Sequence, residues 1–126
     1  MRTQSDSTQI DVFLPIKTVT ESNGSEHWAK KRKRAKTQHF LVKSCLNCIQ
    51  SQITLPCTGK LIRLGTRFLD DDNLVSSFKH VRDAIADYIH PGLAAGQADN
   101  DKNINWQYEQ AKKGTLHNAG IRIIII

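Results

Sequence analysis

The sequence lacks any long hydrophobic run and contains few aromatic residues. Among its 126 residues, no apolar stretch reaches the ~20 consecutive residues that a bilayer-spanning helix requires. Its first nine residues, MRTQSDSTQ, lack the apolar core of a signal peptide. Aromatic side chains make up only 6% of the chain, and no stacking motif typical of RNA-recognition folds occurs. We therefore expect a cytoplasmic protein with no membrane partner, and the sequence gives little support to an RNA-binding module.

Several kinds of chemical site are also missing from the sequence. There is no glycine-rich phosphate loop and no Ser/His/Asp arrangement, so we expect no nucleotide cofactor and no serine-hydrolase chemistry. The three cysteines, Cys45, Cys48 and Cys57, are odd in number, which argues against a complete disulfide framework. Cys45 and Cys48 have the spacing of half a zinc site, but no second pair follows. Reduced thiols are the simpler interpretation.

Charge is abundant and unevenly distributed. The net charge is +6 and the pI about 9.4, values that favour a polyanionic partner. Residues 1–63 hold 11 basic and 4 acidic residues, a net charge of +7, whereas residues 64–126 hold 7 and 8, a net charge of −1. The first half is therefore suited to attracting phosphate, and the second half to chelating a metal.

A dense basic run supplies much of the positive charge. Six cations fall within seven residues of a predicted helix: Lys30, Lys31, Arg32, Lys33, Arg34 and Lys36. Because they are spread around the helix, they favour contact with several phosphates over the reading of bases. Two alternatives are a solvated helix face without a partner and a nuclear localisation signal.

Periodicity and turn residues predict an α+β fold. Strands are expected over 10–19, 60–64, 104–109 and 120–126, and helices over about 26–52 and 73–89. This βαβαββ order implies one domain over 10–126, after a disordered segment 1–9, with two helices packed on a mixed four-stranded sheet. The first helix has Trp28, Ala35, Val42, Leu46 and Ile49 at helical spacing. The four terminal isoleucines predict burial on both faces of the last strand, within a sheet or across a dimer contact.

Three consecutive carboxylates, Asp70, Asp71 and Asp72, lie where an extended segment is expected to lead into the second helix. In an extended segment, alternate side chains share a face, so Asp70 and Asp72 are expected to converge. Carboxylate oxygens are ligands that Mg²⁺ prefers, which makes this pair a candidate metal site. The alternative is helix capping, because Asp is favoured at the N-cap and in the first helical turn.

The second helix is predicted with one apolar stripe and one charged line. The apolar stripe consists of Leu74, Phe78, Val81, Ile85 and Tyr88. In a continuous helix, Asp72, Lys79 and Asp83 fall along a different face. Lys79 and Asp83 could instead form an exposed ion pair of little functional meaning.

Together these residues carry a resemblance to a known family. The run Asp70-x-Asp72-Asn73, the helix with Lys79 and Asp83, the cluster Asp99-Asn100-Asp101 and the segment Trp106-x-Tyr108-x-Gln110 resemble the RusA family of Holliday junction resolvases. The upstream segment from Leu14 through Trp28 to Gln38 resembles the basic N-terminal part of phage-type members. The similarity covers most of the chain.

The resemblance implies a Mg²⁺-dependent endonuclease, with Mn²⁺ as an alternative metal, that acts as a homodimer on four-way DNA junctions. Asp70 and Asp72, with Asp99 or Asp101, would hold the metal, and Lys79 would stabilise charge on the phosphate. In the best-known members a lysine occupies the position that is Ser76 here. A non-catalytic protein that binds branched DNA through the same fold is the alternative function.

Overall fold

The computed structural model describes residues 8–19, 28–50, 52–90, 102–112 and 119–126. Its elements in chain order are β1 (Ile10–Leu14), α1 (Trp28–Ile49), β2 (Cys57–Gly65), α2 (Asp71–Ser77), α3 (Lys79–Ile89), β3 (Ile104–Lys112) and β4 (Gly120–Ile125). The α+β class and the four strands are confirmed. The chain divides into two compact units, one containing the strands and the other the helices.

The strand unit is a mixed four-stranded sheet with the order β1-β4-β2-β3. Strand β4 pairs antiparallel with both β1 and β2, whereas β2 and β3 are parallel. The strand β1 ends at Leu14 and not at Val19, because Pro15 follows it and lacks the N–H that a ladder needs. The predicted mixed sheet is therefore correct, with a shorter first strand.

Burial on the sheet is concentrated on one face. Along β4, Ile121, Ile123 and Ile125 are buried, and they pair with Leu14, Val12 and Ile10 of β1. On the opposite face, Arg122 is exposed and Ile124 is half-buried. Within this chain the sheet therefore buries one face of the strand, and burial of the other face across a dimer contact stays a prediction.

The residue preceding β1, Gln9, joins the sheet unit by backbone and side-chain hydrogen bonds. The Gln9 backbone N–H donates to the Ile125 carbonyl at 2.7 Å. Its side-chain oxygen accepts from the Thr54 N–H at 2.6 Å, and its amide nitrogen donates to the Thr54 carbonyl at 3.2 Å. Residues 1–7 of the predicted disordered segment lie outside the described residues.

The helical unit is built on a narrow buried stripe of α1. Gln38, Val42 and Leu46 are the buried residues of this helix. The wider predicted stripe is wrong at its two ends, because Trp28 is 65% exposed and Ile49 is 39% exposed. Among the described helices, none is both long enough and apolar enough to cross a bilayer.

The second predicted helix is two helices, separated at Phe78. The Ser77 hydroxyl donates at 2.7 Å to the Leu74 carbonyl, the same carbonyl that the Phe78 N–H would reach in a continuous helix. The Phe78 N–H donates to the Val75 carbonyl instead, at 3.1 Å, and α3 begins at the next residue. The predicted apolar stripe is nevertheless buried on both sides of this break, since Leu74, Phe78, Val81 and Ile85 are all buried.

Candidate functional site

The three consecutive carboxylates begin a helix and do not continue an extended segment. Asp70 is the N-cap of α2, with φ −61° and ψ 158°, and Asp71 and Asp72 lie in the first helical turn. The predicted alternation of Asp70 and Asp72 along a strand is therefore wrong, because Asp72 already has helical backbone geometry. The separation of the Asp70 and Asp72 carboxylates is therefore set by the change from extended to helical backbone that follows Asp70.

Asp70 occupies the capping position without using its carboxylate as a cap. Its side chain forms no capping hydrogen bond to the helix backbone, and its only described partner is the Asn73 amide, at 3.5 Å. Asp70, Asp71 and Asp72 are all exposed, and none of them forms an ion pair with the residues that the structure describes. Helix capping alone therefore does not account for three adjacent exposed carboxylates.

The donor chemistry of this segment fits Mg²⁺, which takes oxygen ligands from one or two carboxylates and keeps several waters. The described residues contain no group of three or more metal-binding side chains. Two of the predicted ligands, Asp99 and Asp101, and the intervening Asn100 lie outside the described residues. The described part of the candidate metal site therefore consists of Asp70 and Asp72.

Lys79 is the first residue of α3, and it is exposed. Lys79 and Asp83 lie one turn apart on α3, but Asp72 lies on α2, so the predicted single line of these three residues along one continuous helix is wrong. Lys79 forms no ion pair with any described carboxylate, so the alternative of an ion pair with Asp83 does not hold either.

The basic run occupies the part of α1 that carries no buried side chain. From residue 28 to residue 37, every position is exposed or half-buried, and the buried stripe begins at Gln38. Lys30, Arg32, Lys33 and Lys36 are exposed, and Lys31 and Arg34 are half-buried. The first turn of the helix contains no acidic residue. This end of α1 therefore presents positive charge around most of its circumference.

A groove between α1 and α3 was not predicted from the sequence. It has a volume of about 620 Å³ and is lined by α1 residues from Ala35 to Asn47 and by His80 and Asp83 of α3. Phe40 is one of the residues that line the groove, and it is 68% exposed. The sequence pattern that could have indicated this groove is a set of residues at spacings of four, three and four, which share one face of α1: Lys36, Phe40, Lys43 and Asn47.

A charged contact beside the groove joins the same two helices. The Lys43 ammonium donates to the Asp87 carboxylate at 2.8 Å, and His39 Nε2 lies 3.8 Å from the same oxygen. Both Lys43 and Asp87 are about one-third exposed. The pair holds Lys43 in position at the groove, whereas Lys36 has no ion-pair partner among the described residues.

The cysteines carry no site in the described structure. All three are free, with Cys57 buried in β2 and Cys45 and Cys48 on α1. Burial raises the pKa of the Cys45 thiol, and the neighbouring Cys48 raises it further. Cys45 is therefore a weak thiolate former at neutral pH, which argues against a reactive nucleophile at this position.

Among the predicted site residues, the structure describes two metal-ligand candidates, the lysine and the whole basic run. Asp70, Asp72 and Lys79 lie on α2 or at its junctions with the neighbouring segments, and the basic run lies on α1. All belong to the helical unit.

Comparison with protein-family models, with curated proteins and with solved structures finds no match to this chain.

Proposed function

We propose that this protein is a cytoplasmic, Mg²⁺-dependent endodeoxyribonuclease that resolves four-way DNA junctions as a homodimer. The observation that carries the proposal is the run of three exposed carboxylates at the start of α2, none of which has a cationic partner among the described residues. Three adjacent negative charges repel one another, and a divalent cation removes that cost. The resemblance to RusA-type resolvases supplies the reaction and the substrate class.

The residues divide into a metal-binding and a phosphate-binding group. Asp70 and Asp72 would hold the metal, with Asp99 or Asp101 as a further ligand. When bound, the metal would polarise a phosphate oxygen and lower the pKa of an attacking water. Lys79 would donate to a non-bridging phosphate oxygen and stabilise the negative charge that develops there. The exposed ammonium of Lys79 and its lack of a described acidic partner support this role.

The basic end of α1 would bind the DNA backbone. A helix end with no buried side chain and six cations can approach phosphates on more than one strand. Such contacts position the DNA without reading its sequence, so selection would rest on branched shape. Two copies of the site in a homodimer would nick opposite strands of a symmetric junction.

The test is cleavage of a synthetic four-way junction with and without Mg²⁺, against a linear duplex of matched sequence. Asp72→Asn should reduce the cleavage rate at least about 100-fold, because it removes a charged metal ligand. Asp71→Asn is the matched control: it makes the same chemical change one residue away and should leave most activity. Equal loss in both variants, or cleavage that persists in EDTA, would overturn the assignment of Asp72.

A non-catalytic role in binding branched DNA is the second candidate. Ser76 favours it, because this α2 residue brings no cation to the position where the resolvase family has a lysine. In that case the junction would be bound tightly and remain uncut at every concentration of Mg²⁺ or Mn²⁺. Lys79→Gln separates the two functions: it should slow cleavage more than it weakens binding if Lys79 acts on the reacting phosphate.

A further inference from the structure

The groove between α1 and α3 has the size of a ligand site. Its volume of about 620 Å³ falls within the ~300–1,000 Å³ typical of sites for small ligands. Both helices that line it belong to the helical unit, and the Lys43–Asp87 hydrogen bond connects them beside it. A single nucleotide is of a size that such a groove can admit.

Phe40 gives the groove an aromatic surface. The side chain lines the groove and is 68% exposed, although the buried stripe of the same helix is close by at Gln38 and Val42. Because the ring is exposed at the lining of a groove, its face is accessible to a ligand. Every nucleobase offers a flat face that can stack on such a ring.

Cations flank the aromatic ring along the helix. Lys36 precedes Phe40 by four residues and Lys43 follows it by three, so the three side chains share one face of α1. Lys36 is exposed and has no ion-pair partner among the described residues, which leaves its ammonium available to a phosphate. An aromatic surface beside cations is the usual construction of a site for single-stranded nucleic acid.

We infer that this groove binds one unpaired nucleotide of DNA, with its base stacked on Phe40 and its phosphate held by Lys36. The inference rests on the proposed function, since the nucleotide would belong to the same branched DNA that the basic run binds. At a branch point a base is more easily unstacked than within a duplex, so the groove would favour branched over linear DNA.

The experiment uses the full chain and a single-stranded oligonucleotide that carries one 2-aminopurine, whose fluorescence falls when it stacks on an aromatic ring. Wild-type protein should quench the probe. Phe40→Leu should abolish the quenching and weaken binding by roughly 5- to 100-fold, as expected for the loss of one stacked base. Phe40→Trp should retain both. Phe13→Leu makes the same change at another exposed phenylalanine, in β1, and should behave as wild type.

Lys36→Gln supplies a second, independent readout. Loss of one phosphate contact should reduce the slope of log Kd against log salt by about 0.7 for a single strand. Quenching unchanged in Phe40→Leu, or a salt slope unchanged in Lys36→Gln, would overturn the inference. Thermal unfolding of each variant confirms that the protein remains folded.

A four-way junction with 2-aminopurine at its centre separates this inference from the proposed function. If the junction is bound and cut but its probe is not quenched, the groove has no such role and the nuclease proposal stands. If the junction is neither bound nor cut in preference to linear duplex, the proposed function fails. Quenching of the isolated single strand through Phe40 would then identify a single-strand site without junction resolution.

Discussion

The ammonium of Lys43 on α1 donates a 2.8 Å hydrogen bond to the carboxylate of Asp87 on α3, 44 residues further along the chain. Both side chains are about one-third exposed, so the pair is only partly shielded from water. It connects the helix that carries the basic run with the helix that begins at Lys79. The contact therefore bears on the stability of the helical unit and on the shape of the groove.

A double-mutant cycle with Lys43→Ala and Asp87→Ala measures this contact. We expect a coupling energy of about 0.5–1 kcal/mol from urea unfolding, since partly exposed ion pairs contribute little after screening. The coupling should fall at high salt. A value that does not change between low and high salt would show that packing, and not charge, connects the two positions.

Leu46→Ala should destabilise the protein by about 2–5 kcal/mol, because Leu46 is fully buried and its removal leaves a cavity. Leu41→Ala is the matched control on the same helix: Leu41 is 42% exposed, and the expected loss is below about 0.5 kcal/mol. Chemical denaturation of both variants gives the comparison. Similar losses at the two positions would contradict the assigned burial of α1.

Gly59→Ala should strain the contact between β2 and β3. Gly59 is the register partner of Trp106, and a Cβ added at Gly59 would lie 2.8 Å from Cζ3 of the indole ring. The ring must move, at a cost of about 1–3 kcal/mol. In a Trp28→Phe background, the emission of Trp106 reports that movement directly. An unchanged spectrum with unchanged stability would show that the ring does not cover the glycine.

The ion pair between Asp11 and Arg122 predicts a pH-dependent contribution to stability. Arg122 donates two hydrogen bonds to the Asp11 carboxylate, at 2.8 and 2.6 Å, and these bonds lower the pKa of Asp11 below its usual value. Its contribution is therefore full above the pKa of the unfolded chain and is lost as the pH falls through the lower pKa of the folded state. Arg122 also has its own pKa raised by the pair.

The measurement is urea unfolding of wild type and Asp11→Asn between pH 7 and pH 2. The variant should be less stable at pH 7, and the difference should shrink as the pH falls and the wild-type carboxyl becomes protonated. Arg122→Gln removes the same pair from the other side and should show the same pH dependence. A difference that stays constant over this range would rule out the charge of Asp11 as its cause.

Local patterns in the sequence predicted most of the secondary structure. Alternating strands and helical spacing are properties of neighbouring residues, so β2, β3, β4 and α1 were placed within a few residues of their observed ends. The break at Phe78, beside the Ser77 hydroxyl that donates to the Leu74 carbonyl, was missed because the apolar spacing continues through it. Serine also occurs within uninterrupted helices, and spacing alone does not distinguish the two cases.

The candidate site was less accessible to sequence reasoning than the fold. Residue type alone indicated Asp70 and Asp72 as metal ligands. The predicted extended conformation of this segment was wrong, because the helix begins two residues earlier than predicted. The groove was missed because it depends on α1 packing beside α3, and the contact between Lys43 and Asp87 joins positions far apart in the sequence. Such long-range contacts leave no local pattern.

The position of β4 between β1 and β2 has a consequence for synthesis of the chain. On the ribosome, β1 and β2 emerge before the strand that connects them, and they have no direct ladder with each other. The sheet therefore cannot close until residues 120–125 have been translated. Until then, β1 lacks its ladder partner and β2 lacks one of its two, so their unpaired backbone groups are open to pairing with other chains.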